Sequence, residues 1–469
     1  MFAKIRRIHF VGIGGIGMSG IAEVLLTLGY QISGSDQKMS PVTDRLRKLG
    51  ARVSDGHNAK NLAGAEVVVT TSAVGEDNPE VVAARQMRLP VIQRAEMLAE
   101  LMRLKHGIAV AGMHGKTTTT SMVAGVLTAG GLDPTVVVGG RIDALGSNAR
   151  TGTSEYMVAE ADESDRSFLK LSPILCVVTN IDREHMDCYR DMTAVEDAFI
   201  EFIDRIPFYG TAVLCNDDDR LRGLLPRIGR RVVTYGRRAG SDFHIESSQA
   251  FSRNRPDASG FLSEFVVDHC GFGLGKFRLQ VPGLHNLLNA TAAIAVGVAL
   301  DISGDFIRAG LESFRGVERR LQLLGAAAGI SVIDDYGHHP TEIRSTLAAM
   351  KDCGPGKIHV IFQPHRYTRT KDLMEEFGAA FSQAESLQVL PVYAASEKPI
   401  AGISGELLAQ RIREGGHARV EYAPSFAVAV EKVVAAAQSG DMILTLGAGS
   451  VVQAGPMVLQ ALSAHVPAR

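Results

Sequence analysis

The sequence predicts an α/β protein of three domains, and two observations predict this class. Short β-branched runs alternate with Ala- and Leu-rich amphipathic segments through most of the 469 residues, as in parallel sheets covered by helices. The pattern restarts three times with a strand, a glycine-rich turn and a helix, near Ile8, Gly107 and Ser331. Since a domain usually has roughly 100–200 residues, we predict domains spanning residues 1–104, 105–317 and 318–469.

One segment of the middle domain departs from this pattern. From about Asp242 to Val281 the apolar runs are short, alternate with polar residues and are separated by Gly, Asp and Asn. Alternation with a period of two and turn residues between the runs are typical of antiparallel hairpins. The middle domain is therefore expected to be a parallel sheet with an antiparallel β insertion.

Composition and charge exclude several classes of protein. The 49 basic and 51 acidic residues give a formal net charge of −2, which predicts no bulk attraction to nucleic acid or to an anionic membrane. The five scattered cysteines form no CxxC pair, which argues against a disulfide framework or a zinc site and for a reducing compartment. The apolar N-terminal run is broken by glycines, and no apolar stretch is long enough to span a membrane. We expect a cytoplasmic protein without membrane insertion, as a monomer or weak homodimer.

The first predicted strand leads into a loop that fits GxGxxG and opens a helix, with the residues Gly12, Ile13, Gly14, Gly15, Ile16 and Gly17. Glycines at these places let backbone N–H groups approach a diphosphate at the helix N-terminus. Asp36 follows about 20 residues later, after a second strand, where an acidic residue commonly binds a ribose. Ser72, in a hydroxyl-rich loop after a later strand, is expected over the same crevice. The motif does not distinguish NAD from another nucleotide diphosphate, or a binding loop from a tight turn.

A second glycine loop follows the strand that ends at Ala111, and it comprises Gly112, Met113, His114, Gly115, Lys116, Thr117 and Thr118. Gly-Lys-Thr at the start of a helix is the core of a phosphate-binding loop. Backbone amides cradle the phosphates, Lys116 neutralises the β- and γ-phosphate oxygens, and the Thr117 hydroxyl is placed to hold Mg²⁺. Val110 occupies the usual position of the first glycine, so Gly112 makes this a shortened variant. The loop predicts an ATP site.

Acidic residues and a histidine follow two later strands. Glu160 ends one apolar strand and opens the cluster Glu-Ala-Asp-Glu-Ser-Asp, and His185 lies just past the end of the next strand. Carboxylates beside a phosphate loop suit a hard cation, which prefers oxygen ligands. A lone loop histidine is usually a surface residue, but parallel strand ends meet at one edge of a sheet. We therefore predict a cation site at this edge of the sheet, with His185 as a ligand.

The last third of the chain carries further polar clusters. Asn286 opens a long Ala-rich helix, where a simple helix cap is the alternative to a ligand contact. Arg320 lies at the second predicted boundary, in reach of ATP phosphates if the domains meet there. Two strands end in clusters that are hard to explain by packing alone and that are expected to line one crevice, with the residues Tyr336, His338, His365, Arg366 and Arg369. Arginines there suit bidentate binding of a carboxylate or a phosphate, and a solvated basic loop is the simpler alternative.

These motifs together resemble the Mur ligase family of bacterial cell-wall synthesis. The resemblance covers essentially the whole chain in the family's order, with GIGGIGMSGIAE, GMHGKTTTT, EADESD, NIDREHMD, GLHNLLNA, RRLQ, DDYGHHP and HRYTRT. The shortened phosphate loop is the family form. GIGGIGMSGIA and DDYGHHP are similar to the motifs of the branch that adds alanine.

The resemblance implies an N-terminal Rossmann-like domain for a UDP-sugar, a central P-loop ATPase-type domain and a C-terminal Rossmann-like domain for an amino acid. It implies a ligase that uses ATP and Mg²⁺, with Mn²⁺ as an alternative, to join L-alanine to UDP-N-acetylmuramic acid through an acyl phosphate. It makes Thr117, Glu160 and His185 the residues of the Mg²⁺ site, and Asn286 and Arg320 ATP contacts. It places around L-alanine the residues Tyr336, His338, His365, Arg366 and Arg369. Lys116 stabilises the transferring phosphoryl group, His338 is a candidate to assist amine deprotonation, and Arg366 holds the alanine carboxylate.

The chain departs from the wider family at one point. Several relatives carry a carbamylated lysine after the histidine that corresponds to His185, but the stretch from Val195 to Ile200 has no lysine, as in the alanine-adding branch. Glu196 and water are the alternatives for the group that takes the place of the carbamylated lysine. Three other functions remain as rivals: a tripeptide-recycling or polyglutamylating relative, an NAD-dependent oxidoreductase, and a nucleotide-switched regulator.

Overall fold

The computed structural model describes residues 5–71, 73–142, 147–255, 258–354 and 356–464. Three β sheets lie within these ranges, and each is built mainly from parallel strands with helices in the connections. The predicted α/β class is therefore confirmed. Among the described residues, no helix combines the length and apolar character needed to cross a bilayer.

The first sheet has the strand order β3-β2-β1-β4-β5, and all its pairs are parallel. Its elements are β1 (Arg7–Val11), α1 (Ile16–Thr27), β2 (Gln31–Asp36), α2 (Pro41–Lys48), β3 (Arg52–Asp55), β4 (Val67–Thr70), α3 (Pro79–Gln86), β5 (Val91–Gln93) and α4 (Arg94–Met102). The chain order reverses between β1 and β4, and the crevice beyond such a switch point is where open α/β sheets bind ligands. The first glycine loop follows β1 and so lies at this crevice.

The second sheet has ten strands in the order β15-β14-β13-β12-β11-β10-β6-β9-β7-β8. Its strands and helices are β6 (His106–Ala111), α5 (Lys116–Ala129), β7 (Thr135–Ile142), β8 (Ser147–Arg150), β9 (Tyr156–Glu160), β10 (Leu175–Val178), α6 (Met192–Asp204), β11 (Thr211–Cys215), α7 (Asp219–Leu224), β12 (Val232–Gly236), β13 (Phe243–Arg255), β14 (Ala258–His269), β15 (Phe272–Leu279), α8 (Leu284–Ala299) and α9 (Gly304–Ser313). Strands β13, β14 and β15 are neighbours in chain order, as the predicted hairpins require. Strand β6 pairs in parallel with β9 on one side and with β10 on the other.

The third sheet has the order β16-β17-β21-β18-β19-β20, and only the β16–β17 pair among its described pairs is antiparallel. Its elements are β16 (Gln322–Ala327), β17 (Ile330–Asp335), α10 (Pro340–Asp352), β18 (Ile358–Phe362), α11 (Tyr367–Asp372), α12 (Met374–Gly378), β19 (Ser386–Val389), α13 (Gly405–Glu414), β20 (Val420–Tyr422), α14 (Phe426–Ala436), β21 (Met442–Leu446) and α15 (Ala454–Ala464). Separate apolar cores cover its two faces. Strands β17 and β18 flank β21, so the polar residues that follow them share one edge of the sheet.

The chain divides into two compact units. One comprises Met1–Ser247, Phe265–Phe277 and Leu288–Phe314, and the other comprises Ser248–Glu264, Arg278–Leu287 and Arg315–Arg469. The first unit contains the whole first sheet and both glycine loops, and the second unit contains the whole third sheet. The domain limits predicted from the sequence remain predictions.

Candidate active site

The second glycine loop connects a fully buried strand to a helix. Residues Ile108–Ala111 of β6 are 0% exposed, and α5 begins at Lys116, so the last three residues of the loop motif form the first turn of the helix. Gly112 and Gly115 have φ angles of +126° and +83°, a region that L side chains rarely adopt. A Cβ on Gly112 would also lie 2.0 Å from the Thr179 hydroxyl oxygen, so this turn requires glycine.

Lys116 is held under this loop by three oxygens. Its ammonium donates to the Gly112 carbonyl at 2.7 Å, to the Met113 carbonyl at 3.2 Å and to Glu163 Oε1 at 2.8 Å. Burial alone would lower the pKa of Lys116, but the negative charges of Glu163 and Glu160 outweigh it and raise that pKa above its ordinary value. The lysine therefore stays a cation, which is the form that binds phosphate oxygens.

Thr117 and Glu160 meet at the same edge of the sheet. The Thr117 hydroxyl donates to Glu160 Oε2 at 2.9 Å, and the Gly139 amide donates to the same oxygen at 2.8 Å. Strand register explains the meeting, because Val110 of β6 pairs with Glu160 at the end of β9. A hydroxyl and a carboxylate next to a phosphate loop are ligands that suit Mg²⁺.

His185 joins these residues from beyond β10. Its backbone has a φ of +58°, and its Nε2 lies 3.4 Å from Glu163 Oε1. The structure thus pairs Thr117 with Glu160, and it places Lys116 and His185 on either side of Glu163. The oxygen donors and the imidazole fit a divalent cation, since the fully buried Oε2 of Glu163 has no hydrogen-bond partner among the described residues.

Two residues of this site were not among the predicted site residues. Glu163 contacts both Lys116 and His185, but the motif EADESD contains four acids and does not reveal which of them faces the lysine. Asn289 lies beside the loop, because a Cβ on Gly115 would be 2.8 Å from its Oδ1. Its position three residues after Asn286 on α8 was the available signal.

His114 and Thr118 complete the predicted nucleotide residues of the second loop. The His114 amide donates to Asn180 Oδ1 at 2.9 Å, and its Nε2 lies 2.9 Å from Asp182 Oδ2. These contacts tie the loop to the segment after β10. Thr118 is buried in the first turn of α5, so its side chain packs inward.

In the first glycine loop the backbone forms the turn that GxGxxG predicts. Gly12 has a φ of +79°, Gly15 caps α1, and the helix begins at Ile16. The Gly14 amide donates to Asp36 Oδ2 at 2.9 Å, and a Cβ on Gly14 would lie at that same distance from this oxygen. Asp36 therefore contacts the loop itself, at the switch point of the first sheet.

Arg94 is a candidate that the sequence did not single out. It opens α4, and a Cβ on Gly17 would lie 3.1 Å from its Nη1. Its Nη2 lies 3.3 Å from Asp162 Oδ2, in the acidic cluster after β9. One guanidinium thus connects the first glycine loop with the acidic cluster beside the second. Ser72, predicted for the same crevice, lies outside the described residues, and the side chain of Ile16 is likewise not described.

The polar residues of the third sheet form a cluster around Tyr336. The guanidinium carbons of Arg319 and Arg320 lie 5.1 Å and 5.2 Å from the Tyr336 ring centroid, as in cation–π contacts. Arg320 Nη1 also donates to Glu342 Oε1 at 3.1 Å. Burial alone would lower the pKa of Arg320, but Glu342 outweighs it and raises that pKa.

The two predicted histidines face each other in this cluster. The ring centroids of His338 and His365 are 5.6 Å apart. The His365 ring also stacks on the Tyr393 ring, with the same distance between centroids. Burial, followed by the positive charges around it, lowers the pKa of His365 to about 3. His365 is therefore neutral at working pH and accepts a hydrogen bond at Nδ1 from Arg369 Nη1, 3.1 Å away.

Arg366 and Asn286 are the remaining predicted residues. Arg366 has a φ of +69°, its amide donates to the Tyr393 carbonyl at 2.8 Å, and its side chain is exposed. That exposure makes the guanidinium available to an anion. The Asn286 side-chain amide donates to the Pro282 carbonyl at 2.6 Å, which fixes this side chain at the start of α8.

The comparisons with known proteins fit this geometry. Models described as the Mur ligase family catalytic domain, the Mur ligase middle domain and the Mur ligase glutamate ligase domain match residues 7–106, 110–297 and 319–449. This chain belongs to the Mur ligase family.

Three relatives that match over nearly their full length share one name. The UDP-N-acetylmuramate–L-alanine ligase of Koribacter versatilis is 65% identical over 464 residues, which are 99% of each chain. The protein of that name from Acidobacterium capsulatum is 59% identical over the whole of both chains. The crystal structure of a UDP-N-acetylmuramate-alanine ligase from Thermotoga maritima superposes with a TM-score of 0.79 at 30% identity, covering 98% of this chain and 100% of that one.

Proposed function

We propose that this chain is a ligase that uses ATP to join L-alanine to the lactyl carboxylate of UDP-N-acetylmuramic acid, in the cytoplasmic synthesis of peptidoglycan precursors. One observation carries the proposal. A buried lysine and a threonine–carboxylate pair form a phosphate site in a chain that is 65% identical, over 99% of its length, to a protein named as that ligase.

The chemistry requires an activated carboxylate, because a carboxylate and an amine do not condense unaided in water. The lactyl carboxylate attacks the γ-phosphoryl group of ATP and displaces ADP, which gives an acyl phosphate. The neutral amine of L-alanine then attacks the acyl carbon, and the tetrahedral intermediate expels inorganic phosphate. Catalysis of the first step is mainly positioning and charge stabilisation.

The phosphate site supplies those two effects. Lys116 lies under the loop as a cation and is placed to turn toward the transferred phosphoryl group. Thr117, Glu160 and His185 would hold Mg²⁺, which neutralises phosphate oxygens when it is bound. The first glycine loop, with Asp36, binds the UDP-sugar under this proposal, because its amides suit a diphosphate.

The cluster at the third sheet binds L-alanine under the same proposal. Since His365 is neutral, the carboxylate of the amino acid needs a different cation, and exposed Arg366 is the best placed. His338, whose ring faces His365, is the candidate to assist loss of the amine proton. The Tyr336 ring packs against Arg319 and Arg320 in the same cluster.

The test incubates the purified chain with UDP-N-acetylmuramic acid, ATP and Mg²⁺, and follows phosphate release with each common amino acid. We expect release that depends on both the UDP-sugar and L-alanine, with a matching mass gain on the sugar nucleotide. Release with a tripeptide but not with alanine would instead support the recycling relative. Release without any dependence on the sugar would overturn the proposal, and hydride transfer to a nicotinamide would favour the oxidoreductase.

A further inference from the structure

Glu163 has contacts that a simple salt bridge to Lys116 does not explain. Its side chain is 0% exposed, and its Oε1 lies 2.8 Å from Lys116 Nζ and 3.4 Å from His185 Nε2. Its second oxygen, Oε2, is buried and has no hydrogen-bond partner among the described residues. A buried carboxylate oxygen without a partner is costly, so a residue that keeps one usually has a further use for it.

Nucleotide binding makes the charge at Glu163 harder to accommodate. Under the proposed function, Lys116 turns from Glu163 to the phosphates of ATP, which leaves the Glu163 carboxylate facing a polyanion. Glu160, three residues earlier, already uses its Oε2 on Thr117 and Gly139. A divalent cation between the phosphates and Glu163 would replace the lost positive charge, and carboxylate oxygens are the ligands that Mg²⁺ prefers.

We propose that Glu163 supplies a carboxylate oxygen to the divalent cation that accompanies the nucleotide, on the side of the site where His185 lies. This inference rests on the proposed function. It also makes Glu163 a third candidate, beside Glu196 and water, for the place of the missing carbamate. Glu196 is paired elsewhere, since its Oε1 accepts from Arg220 Nη1 at 3.0 Å.

The experiment measures the coupling between Mg²⁺ and ADP in the full-length chain. Calorimetric titration gives the ADP affinity without Mg²⁺ and at saturating Mg²⁺, and the ratio of the two affinities is the coupling. In Glu163→Gln we expect that ratio to fall at least tenfold, while the Mg²⁺-free affinity stays equal or rises because a negative charge is lost. Glu196→Gln, the matched variant, should keep the wild-type ratio.

A second comparison separates direct ligation from an effect through His185. If Glu163 only oriented that imidazole, Glu163→Gln would change nothing further in a His185→Ala background, and the inference would fail. A further fall of the ratio in that background supports direct ligation. Glu163→Asp keeps the charge next to Lys116 but draws the oxygens back, so it should fold and still lower the ratio.

The remaining outcomes are also decisive. If Glu163→Gln changes the ADP affinity by the same factor with and without Mg²⁺, Glu163 serves Lys116 alone. If Glu196→Gln loses the coupling between Mg²⁺ and ADP, the role belongs to Glu196. Either result overturns the inference but leaves the proposed function intact. A wild-type chain without any Mg²⁺-coupled ADP binding would overturn both.

Discussion

At the scale of single residues, charge and burial together decide what each side chain of the site is able to do. Lys116 keeps its proton although it is buried, because Glu163 lies 2.8 Å away. His365 is also partly buried but has cations around it, and its pKa falls to about 3. Lys116 is therefore suited to bind phosphate as a cation, whereas neutral His365 is suited only to form hydrogen bonds.

Replacing Lys116 tests the phosphate site. We expect Lys116→Ala to lower turnover by at least about 100-fold, the usual effect of removing one group that stabilises transferring charge. Binding of the UDP-sugar, measured by calorimetry, should stay nearly unchanged. Lys170→Ala is the control, since Lys170 pairs with Glu96 at the surface at 2.6 Å. Near-full activity in Lys116→Ala would refute the assignment.

Replacing Arg366 tests the amino-acid site. A hydrogen bond to a charged group contributes about 1.5–3 kcal/mol, so Arg366→Ala should raise the KM for L-alanine by roughly 10- to 100-fold. The KM for ATP should change much less. Steady-state kinetics with Arg411→Ala as the control, an arginine that pairs with Glu414 on α13, distinguishes this from a general loss of charge. Equal changes in both KM values would argue against a specific role.

At the scale of elements, the ends of strands and the turns after them carry the site. Strands β9 and β10 flank β6, so the segments that follow these three neighbouring strands deliver the phosphate loop, the acidic cluster and His185 to one edge of the sheet. In the first sheet, Glu80 of α3 accepts from Ser35 at 2.5 Å and from Asn61 at 2.6 Å, and it lies 3.3 Å from His9. This buried network joins the helix to β1 and β2.

The turn before α5 should tolerate no Cβ at Gly112. We expect Gly112→Ala to lower the melting temperature and to abolish measurable ADP binding, because the added carbon meets Thr179 and the φ angle is positive. Gly131→Ala is the matched control, since its φ is +80° but nothing lies within 4 Å of the added carbon. Equal effects of the two changes would mean that backbone strain alone, and not the close approach, is responsible.

The Glu80 network should make stability depend on pH. Burial raises the pKa of Glu80, but hydrogen bonds from His9, Ser35 and Asn61 outweigh it and lower the pKa from 4.5 to about 2. The folded-state pKa is the lower one, so the stabilisation of about 3 kcal/mol is present above pH 4.5 and is lost between pH 4.5 and pH 2. Urea unfolding gives the free energy of unfolding of wild type and of Glu80→Gln, and the difference between them should narrow as the pH falls from 4.5 to 2. Glu76 is an exposed neighbour of Glu80, and Glu76→Gln should show no such pH-dependent difference in the free energy of unfolding.

At the scale of the whole molecule, the function needs three substrates to be bound by one chain. The first unit carries two glycine loops that suit two different phosphate ligands, and the second unit carries the cluster of Tyr336, His338 and His365. Within the first unit, Arg94 lies against Gly17 of the first loop and pairs with Asp162 in the acidic cluster after β9. Separate loops on one chain predict separate binding sites.

Ligand stabilisation tests that separation. At a concentration of 100 times its Kd, each ligand should stabilise the folded chain by about 2.7 kcal/mol. We therefore expect UDP-N-acetylmuramic acid and Mg²⁺-ADP to raise the melting temperature singly, and to raise it further when they are added together. Differential scanning calorimetry measures this. Mutual exclusion, with no further rise for the pair, would mean that both ligands use the same loop.

The sequence alone determined the α/β class, both glycine loops and the strand ends at which Glu160 and His185 lie. These features depend on local patterns, since strand periodicity, glycine turns and the Gly-Lys-Thr core are set by neighbours along the chain. The roles of Glu163, Asn289 and Arg94 were decided only by the tertiary structure. Each of them meets its partner from a distant part of the sequence, and Arg94 lies 68 residues before Asp162. Strand register and helix packing, which no local pattern encodes, select which acid of EADESD faces Lys116 and which faces Arg94.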